Sequence, residues 1–335
     1  MSMQFPDLSR ERWQDAENNP VIGYFHGEKA RYAIGDPQVL TPEDYDGRWH
    51  MFYHGFFDDY IPYLYHVASD DGVKWEFVKR WQINVGPGYL LKDGDRFILY
   101  STEVVDRDLK EAGLPKEYAG GVNFIIVART SADLDEWSDP HPVLTVDLPW
   151  EAVGPDVCVR NPCVIRLPDG RYRMYYSAGS IRLPLCGYPE PTHIGYAESV
   201  SPLGGFIKNA NPILMPDTTI PYRNFGCGGF KVFGWEDKYL ALYNPIYMDK
   251  EGKPRSCIAV MLSHDGITWH EAPYNPIILP DTAPWKKALV YQLDCVMCGD
   301  ELRIYYNARD EWLDGIERIG LSVLKDAGTR IRKLL

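Results

Sequence analysis

Two short stretches of the sequence place a polar side chain directly before an apolar run. Residues 34–40 read IGDPQVL and contain Asp36, whereas residues 159–165 read VRNPCVI and carry Asn161 at the matching position. A charge placed immediately before a buried strand is costly unless it is used. We therefore interpret Asp36 as a functional carboxylate rather than a solvated loop charge. Asn161 donates and accepts hydrogen bonds but supplies no negative charge.

A serine-containing repeat indicates which elements hold these stretches. Ser-x-Asp followed by Trp occurs at residues 69–75, 131–137 and 263–269, and Ser199 and Ser322 extend the series. The serines recur about every 60 residues, a period typical of repeat architectures such as propellers. Three short apolar runs, separated by Gly, Asp and Pro, belong to each repeat, and a fourth run follows the serine. Helical periodicity is nearly absent, so the repeats predict strands.

These repeats predict an all-β protein, a five-bladed β-propeller with four-stranded antiparallel blades. The predicted outer strands share a short sequence motif, which reads HPVL at 141–144, NPIL at 211–214 and NPII at 275–278. A similar motif, NPVI, occurs near the N-terminus at 19–22. We therefore expect residues 19–25 to supply the outer strand of the last blade and close the ring, which leaves no open edge. No shift in composition marks a linker, so residues 1–335 are predicted to form a single domain.

In a blade, the loops before the first strand and after the second strand open on one face, and the Ser-x-Asp turns lie on the other. We interpret these turns as structural. The long segment 178–193 is predicted as a loop on the first face, where binding residues collect. Carboxylates crowded there favour acid–base chemistry of the kind that cleaves glycosidic bonds, although solvated loop acids are the competing interpretation for Asp156, Glu190 and Asp310. The catalytic candidates on this face are Asp36, Glu103 and Asp156, and the substrate-binding candidates are His54, Trp150, Arg160, Asn161, Tyr188, Glu190, His193, Tyr291, Asp294 and Arg309.

The architecture resembles that of the propeller glycosidases, namely glycoside hydrolase family 43 and its relatives in families 32, 117 and 130. GDPQVL is similar to the Asp-Pro start of the first blade in these families, which implies that Asp36 is the base or nucleophile. VRNPCVI resembles the Arg-Asp-Pro word of the fructosidases, but Asn161 replaces the acid, and nearby Asp156 is the candidate substitute.

The resemblance also implies a glutamate at the start of the fourth blade, where residues 225–233 read FGCGGFKVF and contain only glycine at that place. Glu103 is the best substitute as general acid, with Glu190 and His193 as runners-up, since a histidine serves as acid in family 117. Arg160 and Asn161 are expected to hold sugar hydroxyls. Stacking on sugar rings is the expected role of Trp150, Tyr188 and Tyr291, with ordinary packing as the alternative for each.

Three functions follow as hypotheses. The first is a glycoside hydrolase acting on short oligosaccharides or glycosides. The second is a family 130-like phosphorylase, with phosphate bound by cations such as Arg160, Arg309, His54, His193, Arg182 and Arg223. The third is a non-catalytic carbohydrate-binding propeller, motivated by Asn161 and by Gly228. No cofactor is required, and no His/Asp spacing demands the axial metal found in some relatives.

The overall charge and the cysteines limit the partners. The net charge of −12 argues against nucleic acids and anionic membranes, so a small carbohydrate is the expected partner. Residues 1–20 lack the apolar core of a signal peptide, and a cytoplasmic location is expected. The seven cysteines lie mostly in apolar runs, which predicts buried thiols. Cys295 and Cys298 form a lone C-x-x-C pair whose side chains are expected on opposite faces of a strand.

Overall fold

A computed structural model describes residues 3–23, 30–57, 62–83, 86, 88–104, 123–186, 189–313 and 315–334. Within these ranges the regular structure is β-strand apart from two short 3-10 helices, Arg10–Arg12 and Pro149–Ala152. The all-β prediction is therefore confirmed. Across the same ranges, no helix has the length and apolar character needed to cross a membrane.

The strands follow one another closely along the chain. They are β1 (Trp13–Asp15), β2 (Ala30–Leu40), β3 (Trp49–Phe57), β4 (Pro62–Ser69), β5 (Glu76–Trp81), β6 (Gly88–Asp93), β7 (Arg96–Val104), β8 (Asn123–Ser131), β9 (His141–Leu144), β10 (Val157–Arg166), β11 (Tyr172–Arg182), β12 (Pro189–Ser199), β13 (Ile207–Lys208), β14 (Gly226–Trp235), β15 (Lys238–Met248), β16 (Pro254–Ser256), β17 (Ala259–Ser263), β18 (His270–Glu271), β19 (Leu289–Cys298), β20 (Glu301–Arg309), β21 (Glu317–Leu324) and β22 (Ile331–Arg332).

Most neighbouring strands in the sheets are also neighbours in sequence. One sheet has the order β2-β3-β4-β5, and another has β19, β20 and β21 with β1 at its edge. The meanders β6 to β9 and β10 to β13 share one sheet because β10 pairs in parallel with β8. The remaining sheet has the order β18-β17-β15-β14-β22, with β16 on β15. Such successive antiparallel sheets are consistent with a propeller, as predicted, whereas the number of blades stays a prediction.

The chain divides into two compact units. Unit 1 consists of Met1–Ile83, Lys231–Pro245 and Arg255–Lys333, and unit 2 consists of Asn84–Phe230, Ile246–Pro254 and Leu334–Leu335. A single domain over residues 1–335 stays a prediction.

The N-terminal segment supplies the edge strand of the last sheet, as predicted, but with different bounds. Strand β1 pairs antiparallel with β21, with Trp13 opposite Leu324, and only an isolated bridge joins Ile22 to Ile319. Over the described residues 19–23 the predicted position of this strand is therefore wrong, and residues 24 and 25 of the prediction lie outside the described residues. The physical reason is that a side chain replaces part of the expected backbone ladder at Asn19.

The Asn-Pro motifs at the outer edges explain how a side chain replaces backbone hydrogen bonds. The Asn19 amide accepts a hydrogen bond from Leu321 N and donates one to Leu321 O, both at 2.8 Å. Asn275 repeats the arrangement on Val260, accepting from its N at 2.8 Å and donating to its O at 2.7 Å. An asparagine amide carries both a donor and an acceptor, so it pairs with a strand as a backbone peptide does. In these two copies the Asn-Pro motif therefore forms an edge contact with the neighbouring strand.

The Ser-x-Asp turns are self-contained hydrogen-bonded structures. The Ser263 hydroxyl accepts from Gly266 N at 2.8 Å, and Asp265 Oδ1 accepts from the N–H groups of Ile267 and Thr268, both at 2.8 Å. Burial acts to raise the pKa of Asp265, but these donors outweigh it and lower the pKa to about 2. The turns that begin at Ser69 and Ser131 have the same bonds. Their interpretation as structural elements is supported, since their polar atoms are used within each turn.

Unit 1 has two hydrophobic clusters, one on each face of the sheet that contains β19. One cluster includes Cys295 with Val260 and Ile304, and the other includes Tyr53 and Tyr305, with Cys298 packed against it. The two thiols of the C-x-x-C pair therefore point to opposite faces, as expected. Six of the seven cysteines are buried, and burial raises the pKa of the Cys295 thiol.

Candidate active site

Asp36 occupies a distorted position in β2. The register of β2 against β3 shifts between Gly35 and Gln38, which marks a β-bulge at Asp36. Its φ of 56° lies in the left-handed region, which costs a residue other than glycine about 1–2 kcal/mol. The side chain is buried, with 6% of the residue exposed. Strained backbone positions of this kind cluster at active sites, so Asp36 remains a candidate functional residue.

Two side chains of unit 1 fix Asp36. His54 Nδ1 lies 2.7 Å from Asp36 Oδ2. The Asp36 N–H donates to Asn307 Oδ1 at 3.2 Å, and Asn307 Nδ2 donates to Glu317 Oε2 at 3.0 Å. A Cβ added to Gly35 would lie 2.7 Å from Asn307 Nδ2, so glycine is required for this close approach. Glu317 was absent from the sequence-based candidates, because its contact with Asn307 depends on the register of β20 and β21.

Asn161 is the structural copy of Asp36 in unit 2. Its φ is 54°, and the register of β10 against β11 shifts between Arg160 and Cys163. Asn161 Nδ2 donates to Ser177 Oγ at 2.6 Å, and Ser177 follows a tyrosine in β11 as His54 does in β3. The two stretches thus form the same structural motif, with the carboxylate of Asp36 in one and the neutral amide of Asn161 in the other.

A third bulge, in β19 between Val290 and Leu293, contains Tyr291 and Gln292. Tyr291 is buried. Of these three bulges, only the one in β2 contains a carboxylate.

Glu103 lies at the end of β7 in unit 2 and forms an ion pair through its Oε1 with Arg129 Nη2. Arg129 is buried and also donates to Ser101 Oγ at 3.1 Å. Sequence analysis did not identify Arg129, because the pairing depends on two adjacent strands in register. A general acid must carry a proton, whereas this ion pair requires the carboxylate, so the contact counts against the predicted role.

Trp150 contributes to packing. Its indole stacks on Tyr176 with a ring separation of 5.9 Å and an interplanar angle of 18°, and Nε1 donates to Ala210 O at 3.1 Å. A Cβ on Gly195 would lie 2.6 Å from the indole. The adjacent Glu151 is fully buried and accepts from the Tyr176 hydroxyl at 2.8 Å. These contacts favour the packing alternative over sugar stacking.

Asp294 and Arg309 are both almost fully buried in unit 1. Asp294 Oδ2 accepts from Val39 N and from Lys333 Nζ, both at 2.7 Å, and Oδ1 accepts from Cys295 N at 2.9 Å. Arg309 donates to the carbonyls of Leu313 and Gly315 at 3.0 and 3.3 Å. Both side chains therefore hold backbone segments, which favours structural roles over substrate contact.

Asp156 and Arg160 lie at the start of β10. The Asp156 N–H donates to Ser180 Oγ at 2.9 Å, and the residue is buried rather than in a solvated loop. Arg160 Nη2 donates to Pro189 O at 3.1 Å, and its guanidinium lies 5.7 Å from the Phe124 ring. The guanidinium is therefore oriented by protein groups.

The predicted long loop at 178–193 is wrong. Strands β11 and β12 continue as a hairpin in which Ser180 pairs with Pro191 and Ile181 pairs with Glu190. Glu190 and His193 are therefore strand residues, and Pro189 and Pro191 also occupy strand positions. Burial lowers the pKa of His193, and Tyr188 lies outside the described residues.

The described part of the chain has no group of three or more His, Cys, Asp or Glu side chains arranged to hold a metal ion.

No protein-family model and no curated protein matches the sequence. Solved structures do match. A glycosyl hydrolase from Bacteroides ovatus has a TM-score of 0.65 at 13% identity, with 99% of each chain covered. An N-acetylgalactosamine deacetylase from F. plautii, solved with blood group B trisaccharide, has a TM-score of 0.65 at 13% identity, covering 95% of this chain and 99% of its own.

A third structure comes from work on glycoside hydrolase family 130, a family of mannoside phosphorylases that contains hydrolases of β-1,2 mannosidic linkages in Candida mannan. Its TM-score is 0.62 at 13% identity, with 93% of each chain covered. At these identities the likeness shows a shared fold. It agrees with the predicted resemblance to propeller glycosidases with family 130 relatives, whereas a specific relation to family 43 stays a prediction.

Proposed function

We propose that the protein cleaves glycosidic bonds in short oligosaccharides or glycosides, with Asp36 as general base or nucleophile. The observation that carries this proposal is the buried carboxylate of Asp36 in a left-handed bulge, fixed by His54 and Asn307. The fold shared with glycoside hydrolases makes this reaction class the first to test, whereas the roles of individual residues are argued from the site.

The bulge suits glycosidic chemistry because it holds the carboxylate in one place before substrate arrives. Pre-organised charge stabilises an oxocarbenium-like centre without reorganisation during the reaction. The neutral copy at Asn161 suits a different task, the recognition of sugar hydroxyls through its amide, with Arg160 beside it. The proposal thus assigns catalysis to Asp36 and recognition of hydroxyls to Asn161, each of which lies in a left-handed β-bulge.

The acid that protonates the leaving group is the second part of the proposal. Glu103 is the sequence-based candidate, but delivering a proton would require its ion pair with Arg129 to open. Glu103→Gln tests this role with two substrates of the same sugar. An acid catalyst is needed for an alkyl glycoside and little needed for a dinitrophenyl glycoside, whose leaving group departs as an anion. Equal losses on both substrates would instead indicate a structural role.

Hydrolysis and phosphorolysis differ in the acceptor. Phosphorolysis requires several cations directed at one anion. Arg160, Arg223 and Arg309 each donate to a backbone carbonyl, so part of each guanidinium is engaged within the protein, and we propose water as the acceptor. Phosphorolysis stays the alternative because a family 130 structure shares the fold.

The direct test is a panel of nitrophenyl glycosides and β-1,2-linked manno-oligosaccharides, assayed with and without inorganic phosphate. N-acetylgalactosamine is included with acetate detection, because a deacetylase shares the fold. Asp36→Asn should lower kcat/KM on any cleaved glycoside by about 10²- to 10⁴-fold. Asp265→Asn, in a Ser-x-Asp turn, is the matched control and should retain activity. Full turnover by Asp36→Asn, or sugar binding without turnover across the panel, would overturn the proposal.

A further inference from the structure

The two bulges that contain Asp36 and Asn161 differ at two positions together. In β2 and β3 the pair is Asp36 with His54, and in β10 and β11 it is Asn161 with Ser177. The register is the same, since Gly35 lies opposite His54 and Arg160 lies opposite Ser177. Both members are ionisable in the first pair, whereas both are neutral in the second.

The surroundings of Asp36 explain why its partner has to be a cation or a strong donor. Asp36 is 6% exposed and His54 is 8% exposed. Burying a carboxylate is unfavourable unless hydrogen bonds or an opposite charge compensate for the lost water. The Asp36 backbone is fixed by Asn307, but it is the imidazole that contacts the carboxylate, at 2.7 Å from Oδ2. The Asn161 amide carries no charge, and a serine hydroxyl is sufficient there.

We propose that His54 is a positioning residue that fixes one oxygen of the Asp36 carboxylate, so that the other oxygen, Oδ1, is the one that reacts. We infer that Nδ1 carries a proton, because an unprotonated imidazole nitrogen and a carboxylate oxygen would repel each other at 2.7 Å. This role rests on the proposed function of Asp36. It replaces the predicted role of His54 as a group that binds substrate directly.

The consequence for catalysis is geometric. Loss of the contact leaves the carboxylate in place but free to rotate, and a misplacement of about 1 Å costs about 10²-fold in rate. The effect belongs in kcat, because ground-state binding of the sugar does not depend on which oxygen of Asp36 is directed at it. A residue that binds substrate directly would instead raise KM.

Two substitutions separate the roles. His54→Phe keeps a ring of similar size but removes the Nδ1 donor, and it should lower kcat by about 10²-fold with KM nearly unchanged. His54→Asn places its amide nitrogen near the former Nδ1 and should retain kcat within about tenfold of the native protein. A rise in KM without loss of kcat in His54→Phe would overturn the positioning role, as would equal losses in both variants.

A measurement without substrate tests the contact on its own. Nitrogen-detected NMR of the histidine rings reports which imidazole nitrogen carries the proton, and His54→Asn assigns the signal. We expect the Nδ1–H form in the native protein and a shift towards the Nε2–H form in Asp36→Ala. An unchanged tautomer in Asp36→Ala would refute the contact. If the tautomer shifts but no glycoside in the panel is cleaved, the proposed function fails while the contact between His54 and Asp36 is supported. If His54→Phe cleaves glycosides as well as the native protein, the positioning role of His54 fails while the proposed function is supported.

Discussion

Lys333→Met is expected to destabilise unit 1 because it removes the cation that faces Asp294. Lys333 Nζ donates to Asp294 Oδ2 and to Val39 O, both at 2.7 Å. The Asp294 side chain is only 1% exposed, and that of Lys333 is 13% exposed. Methionine keeps most of the aliphatic volume of lysine, so the substitution chiefly removes the charge and its hydrogen bonds.

The magnitude follows from what remains around the carboxylate. Removing one partner of a buried ion pair typically costs about 3–5 kcal/mol. Two donors remain, the N–H groups of Val39 and Cys295, so the low end, about 3 kcal/mol, is expected. Lys287→Met is the matched control, since its Nζ lies 3.7 Å from Glu311 and both side chains are about half exposed. Such a surface pair contributes below about 1 kcal/mol.

Urea unfolding followed by tryptophan fluorescence measures the free energy of unfolding of both variants against the native protein. The double variant Lys333→Met/Asp294→Asn should recover part of the loss, because the uncompensated charge is then absent. A loss in Lys333→Met no larger than in Lys287→Met would refute the reasoning. So would a double variant that is less stable than Lys333→Met alone.

Three further substitutions test the packing and the titration of the site. Gly35→Ala should displace Asn307, lower kcat and destabilise the protein by about 1–3 kcal/mol, whereas Gly23→Ala, which has open space, should do neither; unchanged kinetics would contradict the close approach. Trp150→Ala should lower the free energy of unfolding by about 2–3 kcal/mol with KM unchanged, because the indole packs on Tyr176; a higher KM without loss of stability would restore its predicted sugar contact. Burial lowers the pKa of His193 below its ordinary 6.5, so the unfolded chain binds the proton more readily and stability should fall as the pH drops below 6.5. This dependence should be smaller in His193→Gln, and an identical pH profile of the unfolding free energy would show that His193 does not contribute.

The repeated words of the sequence predicted the features that depend on local chemistry. The hydrogen bonds of the Ser-x-Asp turns form within a few residues, so the structural role of these turns can be predicted from the sequence motif alone. The outer-strand words predicted an N-terminal edge strand, and Asp36 was singled out by its place before an apolar run. The bounds of that strand were wrong because an asparagine amide performs the pairing at residue 19.

Contacts between distant segments were beyond the reach of the sequence. Asp294 and Lys333 resemble ordinary loop or tail charges until the fold places them 2.7 Å apart. The ion pair of Glu103 with Arg129 and the stacking of Trp150 on Tyr176 likewise depend on strand register. The segment 178–193 was predicted as a loop, whereas β11 and β12 continue as a hairpin in which Pro189 and Pro191 occupy strand positions. Proline is tolerated at such edge positions, where an N–H donor is not needed.

The contact of Asn19 with Leu321 joins residues 302 positions apart. During synthesis on the ribosome the partner strand therefore emerges roughly 15–60 s after the N-terminal segment, at about 5–20 residues per second. Until then, β1 and the Asn-Pro motif that follows it lack the backbone with which they pair. The sheet of β1 and β21 can therefore be completed only after β21 has been made. A nascent chain halted before Leu321 would present an unpaired N-terminal segment to chaperones and proteases.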